Sequence, residues 1–413
     1  MRVLVIGSGG REHALVRALA RDPAVSELHA APGNPGIAEL AQLHDVKPAD
    51  PADVVRLAGH VGADLVVIGP EAPLVAGVAD ALHAANRTVF GPDAAAARIE
   101  GSKAFAKDVM TDAGIPTARS FTCHSEAEAD LALATFGPPY VVKDDALAAG
   151  KGVVVTEDLA TARKHAAACG KVVIEEYLDG PEVSLFALAD GATAVPLLPA
   201  QGFKRAHDGD LGPNTGGMGA YTPLPWAPPD LAGSVLASVV QPAIGELRRR
   251  GTPYRGLLYA GLALTTAGVK VVEFNARFGD PETQVVLDRL ATPLAGLLAA
   301  TAAGDLAAAP ALSWLPGAAV TVVLAAAGYP ESPVKGDKIK FKDHSERTRG
   351  YLLHAGTALQ GGDLVTAGGR VLNAVGSGPD LAAARAAAYE VAEHVQFNGG
   401  WYRHDIAARA ARS

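Results

Sequence analysis

The chain has 413 residues, of which 49% are hydrophobic and 19% charged, so it holds material for two to four domains with buried cores and is not a disordered chain. Its net charge of −8 gives no reason to expect nucleic acid as a partner. Two cysteines, Cys123 and Cys169, are too few for a disulfide framework, and Met1 leads into an apolar strand without a leader pattern, so a cytoplasmic protein is expected.

Val3-Leu4-Val5-Ile6 reads as a buried strand, followed by the turn Gly7-Ser8-Gly9-Gly10 and a helix from near Arg11. Such a turn brings backbone N–H groups close to an anion at a helix N-terminus. A dinucleotide site is disfavoured, because Glu12 stands at the third glycine position and the strand near Leu28 ends without an acidic residue for a ribose. Asp64 to Ile68 and Val89 to Phe90 continue a parallel α/β layer to about residue 100. Ligands collect at the carboxyl ends of such strands, which puts Gly9, Gly10, Asn34 and Glu71 on one rim, although Glu71 also suits an ordinary turn.

Ser102 caps an expected helix from Lys103 to Asp112, closed by Gly114 and Pro116. A lysine in a first turn opposes the helix dipole, so Lys103 either has an anionic partner or sits exposed. From Tyr140 to Val155 two β runs flank a small-residue loop: Lys143 ends the first, and Gly150-Lys151-Gly152 can fold over a polyphosphate, or simply tip a hairpin. The spacing is not that of a P-loop. Val172 to Leu178 is a strand whose backbone can pair with an adenine, and Glu182 beyond it can hold ribose hydroxyls; an edge strand with surface acids has the same pattern. Residues 212–221 contain too much glycine for a core element and are expected to bind a ligand or move. A helix from about Asp230 to Arg250 follows, then a strand from Leu257 to Thr265.

Val271 to Gln284 is the densest stretch. Alternation along a strand puts Glu273 and Asn275 on one face, two oxygen ligands suited to a hard divalent cation. Arg277, Asp280 and Glu282 then crowd into a turn made by Gly279 and Pro281. Leu306 to Pro330 is uncharged, but Pro310, Pro316, Gly317 and Gly328 break it too often for a membrane span. A smaller β-rich module follows Trp314 and ends in a helix from about Asp380 to Val395.

Six of these pieces, in order, resemble the motifs of the phosphoribosylamine–glycine ligase family of the ATP-grasp superfamily: Gly7 to Ala14, Gly69 to Leu74, Gly101 to Phe105, Leu147 to Val153, Asn214 to Tyr221 and Arg277 to Gln284. The resemblance implies an α/β and α+β multidomain chain, with a Rossmann-like parallel sheet (1–100), ATP-grasp central domains (101–310, lid about 119–185) and a small β-rich C-terminal domain (311–413). It implies ATP and Mg²⁺ or Mn²⁺ as cofactors, glycine and 5-phosphoribosylamine as substrates, and a monomer. Lys103, Lys143, Gly150, Gly152, Glu175, Leu178 and Glu182 would bind ATP. Glu273 and Asn275 would hold the metal, and Arg277, Lys143 and Asp280 form the expected catalytic set. Gly9, Gly10, Glu71, Asn214, Thr215, Gly216, Gly217, Met218 and Arg277 would face substrate. Gly202 and Ala146 depart from the family pattern, the former by lacking a carboxylate. The alternatives are another ATP-grasp carboxylate–amine ligase or carboxylase, or a weakened nucleotide-binding homologue.

Overall fold

The strand Arg2–Gly7 lies at the centre of a parallel five-stranded sheet, between Glu27–Pro32 and Leu65–Ile68, with Gln42–Leu43 and Val89–Phe90 at the edges. The structure is a computed structural model that describes residues 1–145, 152–342 and 350–412. Val3 faces Leu28 on one side and Leu65 on the other, so the strand order reverses at Arg2–Gly7 and opens a crevice at its carboxyl end. Val3, Leu4, Val5 and Ile6 are fully buried, as a parallel strand covered on both faces requires.

The helix Gly10–Ala20 starts in that crevice, and the reason a dinucleotide does not fit is visible there. The Glu12 carboxylate accepts from Gly9 N at 2.7 Å and from Arg11 Nε at 2.5 Å, so this side chain takes the backbone donor that a pyrophosphate would need. Gly69 makes the room, since a Cβ there would come within 2.1 Å of Glu12 Oε1.

Residues 120–175 build an antiparallel four-stranded sheet in the order Ser120–Cys123, Val172–Glu175, Tyr140–Asp144, Val153–Thr156. Helices Glu126–Phe136 and Leu159–Ala168 pack on it around Cys123, Leu133, Val142 and Ile174. Gly150 lies outside the described residues, as do Ala146 and Lys151; Gly152 is buried and its carbonyl accepts from Asp144 N at 2.8 Å.

A second antiparallel sheet carries the densest stretch, with Arg255–Thr265 between Glu182–Asp190 and Gly268–Asn275. Its register slips between Gly261 and Leu262, which face Glu273 and Val271 and leave Val272 as a bulge. Phe274 is buried, while Glu273 and Asn275 are half-buried on the other face. The helix expected from Asp230 to Arg250 has a wider π turn at Leu236–Val240, between Leu231–Val235 and Gln241–Arg249. Pro242 explains it, because its missing N–H cannot close the ordinary helical bond.

Residues 212–221 differ from the expectation. Gly219–Thr222 is a fully buried strand of a sheet ordered Gln201–Gly202, Gly219–Thr222, Ala318–Ala325, Arg370–Gly378, Gly350–His354. Glycine serves close packing here: a Cβ on Gly219 would meet Thr321 O at 2.7 Å. The helix Leu381–Glu393 lies on the same sheet, and a hairpin, Thr357–Gln360 with Asp363–Thr366, adds strands that the sequence pattern does not announce. Leu306 to Pro330 holds the short turn Leu306–Ala308 and the strand Ala318–Ala325, and among the described residues no helix is long and apolar enough to cross a membrane.

Candidate active site

The helix Lys103–Asp112, capped by Ser102 through Phe105 N at 3.2 Å, points its first turn at the sheet of residues 120–175, where Ala104 N donates to Asp145 at 2.9 Å. Lys103 and Lys107 are four residues apart and therefore share a face. Lys107 and Lys143 both reach Glu175, at 2.9 and 2.7 Å, and all three side chains are buried. Lys143 Nζ also donates to Val272 O at 2.9 Å, the carbonyl freed by the bulge. Glu175 is thus the anchor of two lysines, so its carboxylate is not open to an adenosine. An ammonium has three donors, which leaves one on Lys143 for a ligand. Lys204 bridges Glu182 at 2.8 Å and Glu273 at 3.2 Å.

These charges fix each other. Lys204, with help from Lys143 and Lys103 and against burial, holds the Glu273 carboxyl down at about 2. Burial would lower Lys204, but Glu182 and Glu273 keep it well above the usual lysine range. Burial lowers Lys103 and Lys107, against the pull of Glu273 and Glu175 respectively. Leu178 lies half-buried in the connector between the strands Val172–Glu175 and Glu182–Asp190.

Arg277 is more heavily engaged than a free substrate-binding arginine. It donates to Glu71 at 3.1 Å, Glu100 at 2.8 Å, Asn275 Oδ1 at 3.3 Å and Phe278 O at 3.2 Å, which occupies four of five donors. Burial pulls Glu71 up, yet Arg277 and Arg11 outweigh it and hold this carboxyl below its usual value; for Glu100 burial prevails. The expected contact of Arg277 with substrate is therefore limited to one remaining donor, or requires Glu71 to let go. Glu71 itself faces Arg277.

Beyond Arg277 the chain turns through Asp280 into a pocket of about 360 Å³ lined by Ser8, Gly9, Thr215, Gly216, Asp280 and, from the C-terminal module, Tyr329, Pro330, Ala355, Gly356, Gly369 and Arg370. Arg370 Nη1 donates to Gly216 O at 2.6 Å and to Asp280 O at 2.7 Å, and lies 3.4 Å from the Asp280 carboxylate. Burial raises Asp280, but Arg370 and Arg11 bring it below the usual range. Gly216 has no side chain because a Cβ would sit 3.0 Å from the Arg370 guanidinium, and its N–H donates to Tyr329 OH at 2.9 Å.

Of the residues expected around the phosphoribosylamine, Gly9, Thr215 and Gly216 line this pocket. Gly10 is buried instead, since a Cβ on it would meet Asn373 Nδ2 at 2.4 Å. Asn214 donates to Val153 O at 3.4 Å, and Gly217, at φ +111°, packs on Pro281. Met218 is fully buried, as its apolar side chain demands. Glu282 is buried too, where it accepts from Ser184 and Tyr259 at 3.1 and 3.2 Å, and a Cβ on Gly202 would come within 2.6 Å of its Oε1. At Gly202 the carboxylate missing from the sequence faces a site already holding one. Sequence reasoning missed Lys107, Glu100, Lys204, Tyr329 and Arg370. Only Lys107 had a local signal, its four-residue spacing from Lys103.

Residues 1–100, 101–283 and 319–409 match the family models described as the N domain, the ATP-grasp (A) domain and the C domain of phosphoribosylglycinamide synthetase. The chain is 62% identical to a phosphoribosylamine–glycine ligase from Streptomyces coelicolor, covering 100% of both chains, and 57% identical to one from Corynebacterium ammoniagenes, covering 99% of this chain and 98% of that one. The crystal structure of the phosphoribosylamine–glycine ligase from Thermotoga maritima superimposes with a TM-score of 0.82 at 35% identity, covering 98% of this chain and 100% of that one. The biotin carboxylase domain of the Hydrogenobacter thermophilus 2-oxoglutarate carboxylase, 18% identical with a TM-score of 0.74 over 97% of this chain and 91% of that one, shares the fold alone. An N-terminal parallel sheet, an ATP-grasp centre with its lysine cluster, and a C-terminal module reaching back to the substrate turn thus go with full-length identity to named ligases: the chain belongs to the phosphoribosylglycinamide synthetase family.

Proposed function

We propose that the lysine cluster and the glycine-lined pocket are two halves of one ligase site. The chain is an ATP-dependent carbon–nitrogen ligase of purine biosynthesis that joins glycine to 5-phosphoribosylamine, giving glycinamide ribonucleotide, ADP and phosphate. The observation that carries the assignment of roles is the continuity of one segment: Glu273 meets Lys204, Asn275 meets Arg277, and Asp280 lines the pocket.

In this reading the polyphosphate lies along Lys103, Lys143 and Lys204, whose ammonium groups face its oxygens, while the lid segment from Glu175 through Leu178 to Glu182 borders the adenosine. Glu273, ionised throughout the working pH range, and the Asn275 carboxamide form an oxygen pair that fits Mg²⁺ or Mn²⁺, and their present contacts at 3.2 and 3.3 Å are long enough to exchange. A divalent cation held there supplies charge neutralisation for the phosphates. A glycine carboxylate oxygen attacks the γ-phosphorus as the bond to ADP breaks, giving glycyl phosphate. The amine nitrogen of 5-phosphoribosylamine then forms the amide bond at the acyl carbon as phosphate leaves, and the nitrogen gives up a proton. No protein nucleophile is required: the residues position the reactants and balance charge.

Arg277 and Lys143 steady the transferring phosphoryl group. Asp280 orients the amine, and the unused Arg370 donors with Tyr329 OH receive the sugar phosphate, for which a forked guanidinium is suited. We assign 1–100 and 311–413 to the phosphoribosylamine side and 101–310, with a lid at about 119–185, to ATP. A monomer is the proposed state, and the free thiols Cys123 and Cys169 suit a reducing cytoplasm.

The test is ADP release with glycine, freshly generated 5-phosphoribosylamine and Mg²⁺ or Mn²⁺. ADP and amide product should appear only when both substrates are present. Product formation that does not respond to glycine would overturn the assignment.

A further inference from the structure

A second pocket, of about 610 Å³, opens on the far part of the C-terminal module and shares no lining residue with the first. Leu324 and Val395 are buried at its base, and Phe397, Trp401 and Tyr402 contribute its aromatic walls. Lys338, Lys340, Gln396, Asn398 and Gly400 complete the lining.

Its walls are held in place before any ligand arrives. Trp401 exchanges both backbone hydrogen bonds with Ala325, at 2.8 and 3.0 Å, and its Nε1 donates to Ala326 O at 3.1 Å. Phe397 is packed over Gly400, where a Cβ would come within 2.5 Å of the ring. Lys340 lies directly across from Gln396 in the short sheet Lys340–Phe341 with Val395–Gln396, which puts a cation beside a carboxamide. Lys338 pairs with Asp363 at 2.6 Å, and Lys340 has no carboxylate partner among the described residues.

We propose that this pocket binds a nucleoside monophosphate. The volume falls within the range of small-molecule sites, about 300–1,000 Å³. Rigid aromatic faces suit a planar heteroaromatic ring, and two primary carboxamides offer both donors and acceptors to its edge. Lys340, with the Lys338–Asp363 ion pair beside it, suits a compact anion as a point charge. An aromatic and cationic lining of this kind is poorly matched to a purely aliphatic ligand, and Lys340 favours an anionic one. The binding claim stands independently of the reaction assigned above.

The test is equilibrium dialysis of the full-length protein with AMP and with GMP, the ATP-grasp site being filled beforehand by a non-hydrolysable ATP analogue and Mg²⁺. One equivalent of AMP or GMP per chain should be retained, whereas the matching nucleoside and ribose 5-phosphate should each bind at least about tenfold more weakly. Lys340→Glu, a change at an exposed strand position, should weaken nucleotide retention about tenfold or more while leaving ligase activity without added nucleotide unchanged. Trp401→Phe should bind at intermediate strength. Failure to retain either nucleotide, retention that Lys340→Glu does not alter, or a nucleoside bound as tightly as its monophosphate would each overturn the proposal.

Discussion

Glu175→Gln removes the charge that anchors two lysines. The carboxylate lies 2.9 Å from Lys107 Nζ and 2.7 Å from Lys143 Nζ in buried surroundings. Unit charges at such distances attract by about 6 kcal/mol each at an effective dielectric constant of 20, most of which burial has already consumed as lost hydration. Breaking a buried pair costs about 3–5 kcal/mol, because the remaining charge has no compensation. Lys107 keeps Thr117 Oγ1 at 2.9 Å and Ala118 O at 3.0 Å, Lys143 keeps Val272 O at 2.9 Å, and glutamine retains one acceptor. The expected loss is therefore at the lower end, about 3 kcal/mol.

The sign of its pH dependence follows from Lys107. Burial already lowers this ammonium below the usual lysine value and Glu175 opposes the shift. Without Glu175 it falls further, so between the folded and the ordinary lysine values the unfolded chain binds more protons and the variant's stability rises with pH. Denaturant unfolding at pH 7 and pH 9 and the KM for ATP measure both effects. The deficit should be smaller at the higher pH, and KM for ATP should rise about tenfold as Lys143 loses its orientation. Adding Lys107→Met should restore part of the stability by removing one uncompensated charge. A Glu175→Gln protein as stable as its parent, with unchanged KM for ATP, would refute the reasoning.

Glu273→Ala should abolish turnover while the far-ultraviolet circular dichroism stays unchanged; a normal kcat would reject the metal assignment. Lys204→Met removes the largest influence that holds the Glu273 carboxyl at about 2, so that group should titrate at higher pH and the acid limb of kcat/KM should move upward; an unmoved limb counts against the pairing. Arg403 is fully buried on Asp405 at 2.7 Å, Asp210 at 2.8 Å and Arg205 O at 3.0 Å, on the hairpin that leads into Asn214 and Thr215. Arg403→Met should cost about 3 kcal/mol and raise KM for 5-phosphoribosylamine more than KM for ATP, and an equal rise in both would contradict this coupling. His354 N donates to His13 Nδ1 at 2.8 Å, and burial first of all holds the two imidazoles at about 3 and about 4. Their unfolded forms take up protons from about 6.5 downward, so stability should fall as pH drops from there toward about 3. In denaturant titrations at pH 5 and pH 7, His13→Gln should show a shallower loss than the parent.

Much of the architecture was legible because it is local. The apolar run Val3 to Ile6, the cap at Ser102 and the alternation that puts Glu273 and Asn275 together each depend on backbone geometry within a few residues. Glycine was the ambiguous signal: the same density marks the pocket wall at Thr215 and Gly216 and tight core packing at Gly219, and only the neighbouring strand distinguishes them. The π turn before Gln241 was hidden because the apolar pattern continues through it.

The order of the elements, the strand–turn segment from Glu273 to Glu282 and six motifs that suffice to suggest a ligase family are all written in local sequence. How the charges are shared depends on contacts made across the fold. Arg277 meets Glu100 across 177 residues, and Arg370 reaches Gly216 across 154, to form contacts that no local period announces. Strand and helix periodicity reports which face a side chain takes, whereas the protonation, orientation and availability of an ionisable group depend on what lies opposite that face. That is why Glu175 changed from a ligand contact to an anchor of two lysines, and why Arg277 is largely committed to its own carboxylates.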